Sequence, residues 1–224
     1  ETFWWDTQKN QYRSIQYADQ SFDYFMVGDN QAFSHYLLYF GAIDNQQRIQ
    51  QLADAYRDNY QNLIVELKSY LPIIFYENGY SQLANDMLVE LCSPENKRRD
   101  YPENSYTVIE HVARGLMGIE SDAGMQTVST LSRLPSAADW AELRDVPVLS
   151  GQVSVRHEGF GKTTFTNQGQ KTIQWSAGIP GDHEFLWING KKTKCKQAKD
   201  HGRTYSFVLT EVKAGEKVTV SVKG

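Results

Sequence analysis

The clearest helical pattern in the chain lies between residues 45 and 67. Apolar side chains recur there at the i, i+3, i+4, i+7 spacing that places them on one face of a helix. They are Ile49, Leu52, Ala53, Tyr56, Tyr60, Leu63, Ile64 and Leu67. The segment therefore predicts an amphipathic helix, either continuous or broken near Tyr60.

Further helices are predicted on both sides of this one. Residues 20–43 read as a helix pair, and residues 79–94 as a helix that follows a glycine turn and stops at a proline. A last helix is expected after Pro102. The pattern predicts about five or six helices, joined as hairpins, over residues 1–134.

The helix after Pro102 carries an unusual polar stripe. At 3.6 residues per turn, Glu103, Thr107, Glu110 and Arg114 fall on one line. The opposite, apolar line holds Tyr106, Ile109, Val112, Ala113 and Leu116. We expect the apolar line to be buried, and the polar stripe to be solvated or to border a cavity.

The pattern changes character near Pro135. Residues 135–150 predict a linker with one short helix over 137–143. From residue 151 to 224, short alternating stretches separated by turn residues predict an antiparallel β-sandwich of about 70 residues. Asn189 and Gly190 are typical of a tight hairpin turn within it. The predicted fold class is thus a multidomain chain with separate α and β parts.

Charge divides the chain in the same way. The formal net charge of −4 combines an acidic part, residues 1–150, with a basic part, residues 151–224. No apolar run approaches the roughly 20 residues that span a bilayer, so no membrane partner is expected. The first residues show neither an initiator Met nor a signal-peptide pattern, which indicates a processed chain or a piece of a longer one. Cys92 and Cys195 make no disulfide framework and are expected to be free thiols.

No cofactor or metal site is predicted. The sequence has no phosphate-binding glycine loop, no zinc cysteine set and no serine nucleophile elbow, and its five histidines show no metal-ligand spacing. A lysine run at Lys191, Lys192, Lys194, Lys196 and Lys199 has two interpretations. It could bind a polyanion, but an exposed hairpin whose lysines discourage edge pairing is favoured, so no nucleic-acid partner is expected.

An aromatic cluster stands at the start of the chain. Phe3, Trp4 and Trp5 precede Asp6 and belong to no periodic pattern. Tryptophan faces beside carboxylates suit a sugar, whose C–H face stacks on the ring while its hydroxyls need polar partners. The alternative is that these rings fill the core between helices.

Glu110 also has two interpretations from the residues alone. Thr107 followed by Glu110 matches a capping box, and Glu110 with Arg114 is an i, i+4 ion pair. Either would explain the carboxylate without any function.

The order of motifs over residues 45–160 adds a resemblance. The segments "SYLPIIFYENGYSQLANDML", "NSYTVIEH", "GLMGIESD", "LSRLPSAADWAEL" and "GQVSVRHE" follow one another along the chain. This order resembles the C-terminal part of bacterial six-hairpin glycosidases, the (α/α)6 toroids, and most closely the α-L-rhamnosidase type. It is also similar to an uncharacterised group of secreted Bacteroidetes proteins.

The resemblance implies a partial (α/α)6 toroid followed by a β-sandwich, and a function in glycoside hydrolysis. The family's general base falls on Glu110, while Glu103 on a neighbouring helix face is an alternative holder of that role. The sequence departs from the family at Asn104, Ser105 and Tyr106, where the family has Gly, Ala and Thr. Ile109 likewise replaces its tryptophan.

Further expectations follow from the same resemblance. Trp4, Trp5, Asp6 and Tyr101 are expected near a carbohydrate substrate. The general acid should come from an upstream hairpin, so the chain alone should be inactive and should pair with an N-terminal half or form a homo-oligomer. A periplasmic or extracellular location is implied. A noncatalytic carbohydrate-binding or scaffold protein remains the alternative function.

Overall fold

A computed structural model describes residues 3–27, 30–31, 33–96 and 102–224; residues 26–27, 30–31 and 103 are described by their backbone alone. The chain divides into two compact units, residues 1–109 and 110–224. This division differs from the predicted boundaries at 134 and 150, because the strands of unit 2 begin as early as Glu120.

Unit 1 combines short strands with helices. Its strands are β1 (Trp5–Asp6), β2 (Gln11–Tyr12), β3 (Ile15–Gln16), β4 (Phe22–Asp23), β5 (Met26–Val27) and β6 (Asn30–Gln31). They pair in order as three two-stranded antiparallel ribbons. Its helices are α1 (Ser34–Tyr39), α2 (Gln46–Asn59), α3 (Val65–Lys68), α4 (Leu71–Glu77) and α5 (Ser81–Cys92), and α6 (Pro102–Glu110) ends at the boundary between the units.

Helices α2 and α5 confirm the periodic patterns. The Asn45 side chain accepts a hydrogen bond from the Arg48 backbone N–H at 3.1 Å and so caps α2. Leu52, Ala53 and Tyr56 are its buried face. A 3₁₀ turn over Tyr60–Asn62 follows α2, so the helix is broken near Tyr60, which is one of the two predicted possibilities.

The predicted helix pair over residues 20–43 is wrong in its first half. A turn at Asp19 and Gln20 closes the β3–β4 hairpin: the Asp19 carboxylate accepts from the Ser21 N–H, and Gln20 has a positive φ of 69°. This local hydrogen bond competes with helix formation, as Asp does at turns. Only α1 in the second half is helical.

Helix α6 buries a different face from the predicted one. Asn104, Thr107 and His111 are buried, whereas Tyr106 and Ile109 are 49% and 71% exposed. Thr107 lies inside the helix and cannot be its N-cap, so the capping-box interpretation is wrong. The Tyr106 ring lies at the surface, where its hydroxyl forms a hydrogen bond with the Tyr70 hydroxyl at 3.0 Å.

Unit 2 begins with a π-helix over His111–Leu116 and continues as strands. These are β7 (Glu120–Asp122), β8 (Thr127–Leu131), β9 (Trp140–Val148), β10 (Gly151–Glu158), β11 (Lys162–Asn167), β12 (Ile173–Pro180), β13 (Phe185–Ile188), β14 (Lys191–Lys194), β15 (Lys196–Asp200), β16 (Arg203–Val212) and β17 (Lys217–Ser221). One sheet has the order β14-β13-β17-β11-β10-β9 and the other β15-β16-β12-β8-β7.

The two sheets enclose one apolar core and form the predicted sandwich. Trp175 is fully buried and stacks on Phe165, with ring centroids 4.9 Å apart. Its indole N–H donates to the Thr130 hydroxyl at 3.0 Å, which satisfies the polar end of the ring. The sandwich is mixed and not purely antiparallel, because β8 pairs with β12 in parallel.

The short helix predicted over 137–143 is a strand instead. Residues 140–148 form β9, which pairs antiparallel with β10 along its length. Ala, Glu and Leu favour a helix locally, but cross-strand pairing overrides this weak preference. The Trp140 ring packs against the Arg156 guanidinium, whose carbon lies 4.1 Å from the ring centroid.

The lysine run follows the edges of the sandwich. Strand β14 ends the first sheet and β15 ends the second, and the five lysines lie on these two strands. Charged side chains on an edge oppose pairing with another chain. The location fits the favoured interpretation of the run. The two cysteines are free, as expected.

Candidate functional site

A cavity of about 480 Å³ opens in unit 1 between the β1–β2 ribbon and the segment around α1. We call it the Trp4 pocket. Its lining residues are Trp4, Tyr12, Arg13, Ser14, Phe33, Leu37, Ala42, Ile43 and Asp44. The wall is largely aromatic and aliphatic, with a few polar groups, as small-molecule sites usually are.

The two adjacent tryptophans have different environments. Trp5 is 7% exposed and packs edge-to-face on Tyr12, with ring centroids 4.9 Å apart. Trp4 is 36% exposed and makes edge-to-face contacts with Phe3 and Phe22. Trp5 thus fills the core, whereas Trp4 offers a ring to the pocket.

Asp6 is not among the residues that line the pocket. Its carboxylate instead stabilises the first residues of the chain through several hydrogen bonds. It accepts hydrogen bonds from the Tyr24 hydroxyl and from the backbone N–H groups of Gln8 and Lys9 at 2.8 and 3.1 Å. Its carboxylate lies 3.8 Å from the Arg13 guanidinium. The hydrogen bond from Tyr24, followed by the backbone donor Lys9, lowers the pKa of Asp6 below its ordinary value.

Arg13 is fixed on the wall of the pocket. Its Nη1 donates to the Phe3 carbonyl at 3.3 Å, and its guanidinium lies 4.7 Å from the centroid of the Phe22 ring. The Asp6 carboxylate, 3.8 Å away, adds an electrostatic attraction. These contacts orient the positive charge before any ligand binds.

Two further polar groups line the Trp4 pocket. Asp44 supplies a carboxylate, and Ser14 supplies a hydroxyl. The Ser14 Oγ is buried and finds no hydrogen-bond partner within the described part of the chain. A buried hydroxyl without a partner costs free energy that a ligand hydroxyl could recover.

The Glu110 carboxylate forms an ion pair with Arg114. The Arg114 guanidinium donates to this carboxylate, which confirms the i, i+4 ion pair, and also lies 3.7 Å from Glu120. Glu110 belongs to unit 2 and the Trp4 pocket to unit 1. The side chain of Glu103 and the whole of Tyr101 lie outside the described residues.

Unit 2 contains buried polar groups that the sequence did not single out. Arg133 is 7% exposed and pairs with Asp200, and His157 is fully buried. Their neighbours in sequence are ordinary strand and loop residues, so no local signal marks them. Among the residues that the structure describes, no group of three or more His, Cys, Asp or Glu could hold a metal ion. Within the same residues, no helix has the length and apolarity to cross a membrane.

Comparison with solved structures shows a likeness to glycosidases. An α-L-rhamnosidase from Dictyoglumus thermophilum aligns with 83% of this chain at a TM-score of 0.52 and 10% sequence identity. The chain spans 24% of the length of that enzyme. At this identity the likeness is one of fold, and it supports the coarse expectation of a glycosidase-related architecture.

A second similar structure is a GH127 β-L-arabinofuranosidase from Geobacillus stearothermophilus T6. It aligns with 82% of this chain and 30% of its own, at a TM-score of 0.33 and 11% identity. The likeness to this second enzyme is looser than that to the rhamnosidase. No protein-family model and no curated protein sequence matches the chain.

Proposed function

We propose that this chain is the C-terminal portion of a glycoside hydrolase, with the Trp4 pocket as a binding site for a sugar. In this proposal the helices are part of an (α/α)6 toroid, and the β-sandwich is the domain that follows the toroid in the sequence. The support is the fold likeness to an α-L-rhamnosidase over 83% of the chain, helical and sandwich parts included. The remaining helices would come from outside these 224 residues.

The observation that carries the proposal is the combination of groups in the Trp4 pocket. The exposed ring of Trp4 offers a surface for the C–H face of a sugar. Arg13, Ser14 and Asp44 offer a donor, a hydroxyl and an acceptor at the same cavity. A volume of about 480 Å³ suits a monosaccharide or disaccharide.

The catalytic part of the proposal assigns the general base to Glu110, with Glu103 as the alternative. Inverting glycosidases place two carboxyl groups about 6.5 to 9.5 Å apart, so that a water fits between base and sugar. The general acid would come from an upstream segment, and the chain alone would then be inactive. Trp5 fills the core and Asp6 is not among the residues that line the Trp4 pocket, so neither is assigned a contact with the sugar.

The setting of the protein is part of the same proposal. A periplasmic or extracellular location would bring it to plant or microbial polysaccharides and oligosaccharides. Pairing with an N-terminal half, or self-association, would complete the toroid. The proposal also includes a relationship to a group of secreted Bacteroidetes proteins.

One observation favours a noncatalytic carbohydrate-binding or scaffold protein as the second candidate. Arg114 holds the Glu110 carboxylate in an ion pair. The guanidinium thus occupies a carboxylate oxygen that a general base would need to accept a proton from water. Sugar binding at the Trp4 pocket would then be the function.

Calorimetric titration of L-rhamnose into the full chain tests the binding proposal. Trp4→Ala should weaken binding about tenfold or more, because it removes the stacking surface. Trp140→Ala is the matched control, since Trp140 is also an exposed tryptophan but lies in unit 2. Equal binding by Trp4→Ala and the unmutated chain would refute the Trp4 pocket as the site.

Hydrolysis of 4-nitrophenyl α-L-rhamnoside by the full-length gene product tests the catalytic proposal. Glu110→Gln should lower kcat by about 100-fold or more, as expected for loss of a general base. Glu211→Gln on the exposed face of β16 is the control and should leave kcat unchanged. Unchanged kcat in Glu110→Gln would remove Glu110 from the mechanism, whereas sugar binding without any hydrolysis would favour the noncatalytic candidate.

A further inference from the structure

The outward face of the second sheet carries a row of polar side chains. Along β8 and β12, Val128 and Trp175 point into the core and are fully buried. The residues that alternate with them therefore point outward. They are Thr127 and Ser129 on β8, and Gln174 and Ser176 on β12.

Strand register brings these side chains into two rows. Ser129 lies opposite Ser176 on one side and Glu120 on the other. Thr127 is placed likewise between Gln174 and Asp122. Neighbouring strands of a sheet lie about 4.7 to 4.9 Å apart, so each row presents a continuous line of polar groups.

These rows line an open cavity of about 690 Å³, which we call the serine groove. At Glu120, Ser129 and Ser176 the groove adjoins a second, polar cavity of about 100 Å³. We call this smaller cavity the pit, and Arg133 and Asp200 border it. Its volume equals that of about three water molecules.

Gly178 keeps the pit open. A Cβ at this position would lie 2.8 Å from the Thr130 carbonyl oxygen and 3.3 Å from the Tyr205 ring. Any side chain would therefore collide with the strand beside it or fill the space below Tyr205. Glycine is suited to such close approaches.

Several polar groups in the groove are available for a ligand. Within the described residues, the side chains of Ser129, Ser176 and Gln174 make no hydrogen bond to the protein. Asp122 uses one oxygen to accept from the Met125 N–H at 2.9 Å. The groove thus offers hydroxyls and an amide that both donate and accept, beside carboxylates that accept.

The chemistry of the groove selects among ligand classes. Two carboxylates at its rim, Glu120 and Asp122, would repel a polyanion. Leu209 and Met125 are 49% and 70% exposed and give the groove apolar surface as well. A neutral carbohydrate combines hydroxyls that need mixed donors and acceptors with C–H faces that need apolar contact.

We propose that the serine groove binds a neutral oligosaccharide, with Ser129, Ser176 and Gln174 as the hydrogen-bonding residues. The site lies wholly within unit 2 and does not rest on the Trp4 pocket. It would give the sandwich a sugar-binding role of its own. A chain with both sites would bind a polysaccharide at two points, which raises its overall affinity.

An array of immobilised neutral oligosaccharides, with glucose, xylose, mannose, galactose and rhamnose backbones, provides the test. The chain is applied as the Trp4→Ala variant, so that the Trp4 pocket does not contribute. We expect this variant to bind at least one array member. Binding that disappears in Trp4→Ala would overturn the groove proposal and leave the Trp4 pocket as the sugar site.

A groove-filling substitution then locates the binding. Ser176→Phe in the Trp4→Ala background should raise Kd about tenfold or more, because the ring occupies the groove. Thr166→Phe is the matched control on the outward face of the other sheet and should change Kd less than about twofold. Unchanged Kd in Ser176→Phe would overturn the proposal.

A milder variant covers the case in which Ser176→Phe does not fold. Gln174→Ala removes only an amide and should raise Kd about three- to tenfold, the loss expected for one or two hydrogen bonds. A tetralysine peptide is titrated in parallel. The carbohydrate proposal would be refuted if the chain binds the peptide but no oligosaccharide, and if Gln174→Ala abolishes the peptide binding. The groove would then be a site for a basic peptide.

Discussion

Arg133 and Asp200 form a buried ion pair although 67 positions separate them in the sequence. The Arg133 Nε and Nη2 atoms each lie 3.0 Å from the Asp200 Oδ2. The Arg133 Nη1 also donates to the carbonyls of Arg114 and Gly115 at 2.8 and 3.0 Å. One guanidinium therefore joins the end of the π-helix to strand β15.

Asp200 remains ionised in this setting. Burial by itself would raise the pKa of Asp200, but the hydrogen bond from His201 and the positive charge of Arg133 outweigh it. The pKa of the carboxyl therefore lies well below its usual range. Because the folded-state pKa is lowered, the stabilisation is present above the unfolded pKa near 3.8 and is lost as pH falls below it.

Replacement of Arg133 by methionine should destabilise unit 2 strongly. It leaves the Asp200 carboxylate buried without its main cation and leaves two helix carbonyls without a donor. We expect the free energy of unfolding to fall by about 3 kcal/mol or more, measured by urea unfolding at pH 7. Arg144→Met is the control, since Arg144 is 72% exposed and pairs with Glu142 at the surface. A loss below about 1 kcal/mol, equal to that of the control, would contradict this role.

His157 should make the protein sensitive to acid. Its ring nitrogens lie 2.8 Å from the Thr163 hydroxyl and 2.9 Å from the Met117 carbonyl, and burial lowers its pKa from 6.5 to about 4. The unfolded chain therefore takes up a proton below pH 6.5 while the folded chain does not. Stability should be level above pH 6.5 and fall as pH decreases towards 4, by at most about 3 kcal/mol from this residue.

The measurement is the free energy of unfolding at intervals between pH 8 and pH 4. His157→Asn should be less stable at pH 7 but should lose less stability on acidification than the unmutated chain. His35 in unit 1, also buried and with a pKa lowered to about 4, should account for part of the slope that remains. Parallel curves for His157→Asn and the unmutated chain would exclude His157 as a source of the pH dependence.

Gly118 should tolerate no side chain. It has a positive φ of 57°, and a Cβ there would lie 2.3 Å from the Leu131 carbonyl oxygen and 2.7 Å from the Leu131 N. These are backbone atoms of a paired strand and cannot move aside cheaply. Gly118→Ala should lower the free energy of unfolding by about 3 kcal/mol or more.

Gly215→Ala separates steric overlap from backbone strain. Gly215 also has a positive φ, of 73°, but nothing lies within 4 Å of its Cβ position. Its replacement should cost only about 1 kcal/mol, the cost of the left-handed conformation itself. Thermal unfolding of both variants checks the difference. Equal losses would show that the contact with Leu131 is relieved without cost.

Local patterns in the sequence were sufficient where neighbours along the chain decide the structure. Helices α2 and α5 follow from the spacing of their apolar residues and from the turns beside them. The hairpin at Asn189 and Gly190 has positive φ angles of 47° and 80°, as this residue pair predicts. The ion pair between Glu110 and Arg114 likewise needs only one helical turn.

The candidate sites were only partly predictable. The sequence drew attention to Trp4 and Trp5 but could not say which ring is buried, because Tyr12 and Phe22 decide this through ribbon pairing. Arg13, Ser14 and Asp44 are ordinary in the sequence and reach the Trp4 pocket only through the fold. The serine groove depends on the parallel pairing of β8 with β12, which no local pattern indicates.

The sequence alone determined the amphipathic helices α2 and α5 and the alternating strands of the sandwich, because these follow from the periods of 3.6 and 2 along the chain. The tertiary structure decided that residues 140–148 form a strand and that α6 buries Asn104 and Thr107. It also decided that Arg133 meets Asp200. Each of these depends on contacts between segments far apart in sequence, whose free energy exceeds the weak local preferences of the residues involved.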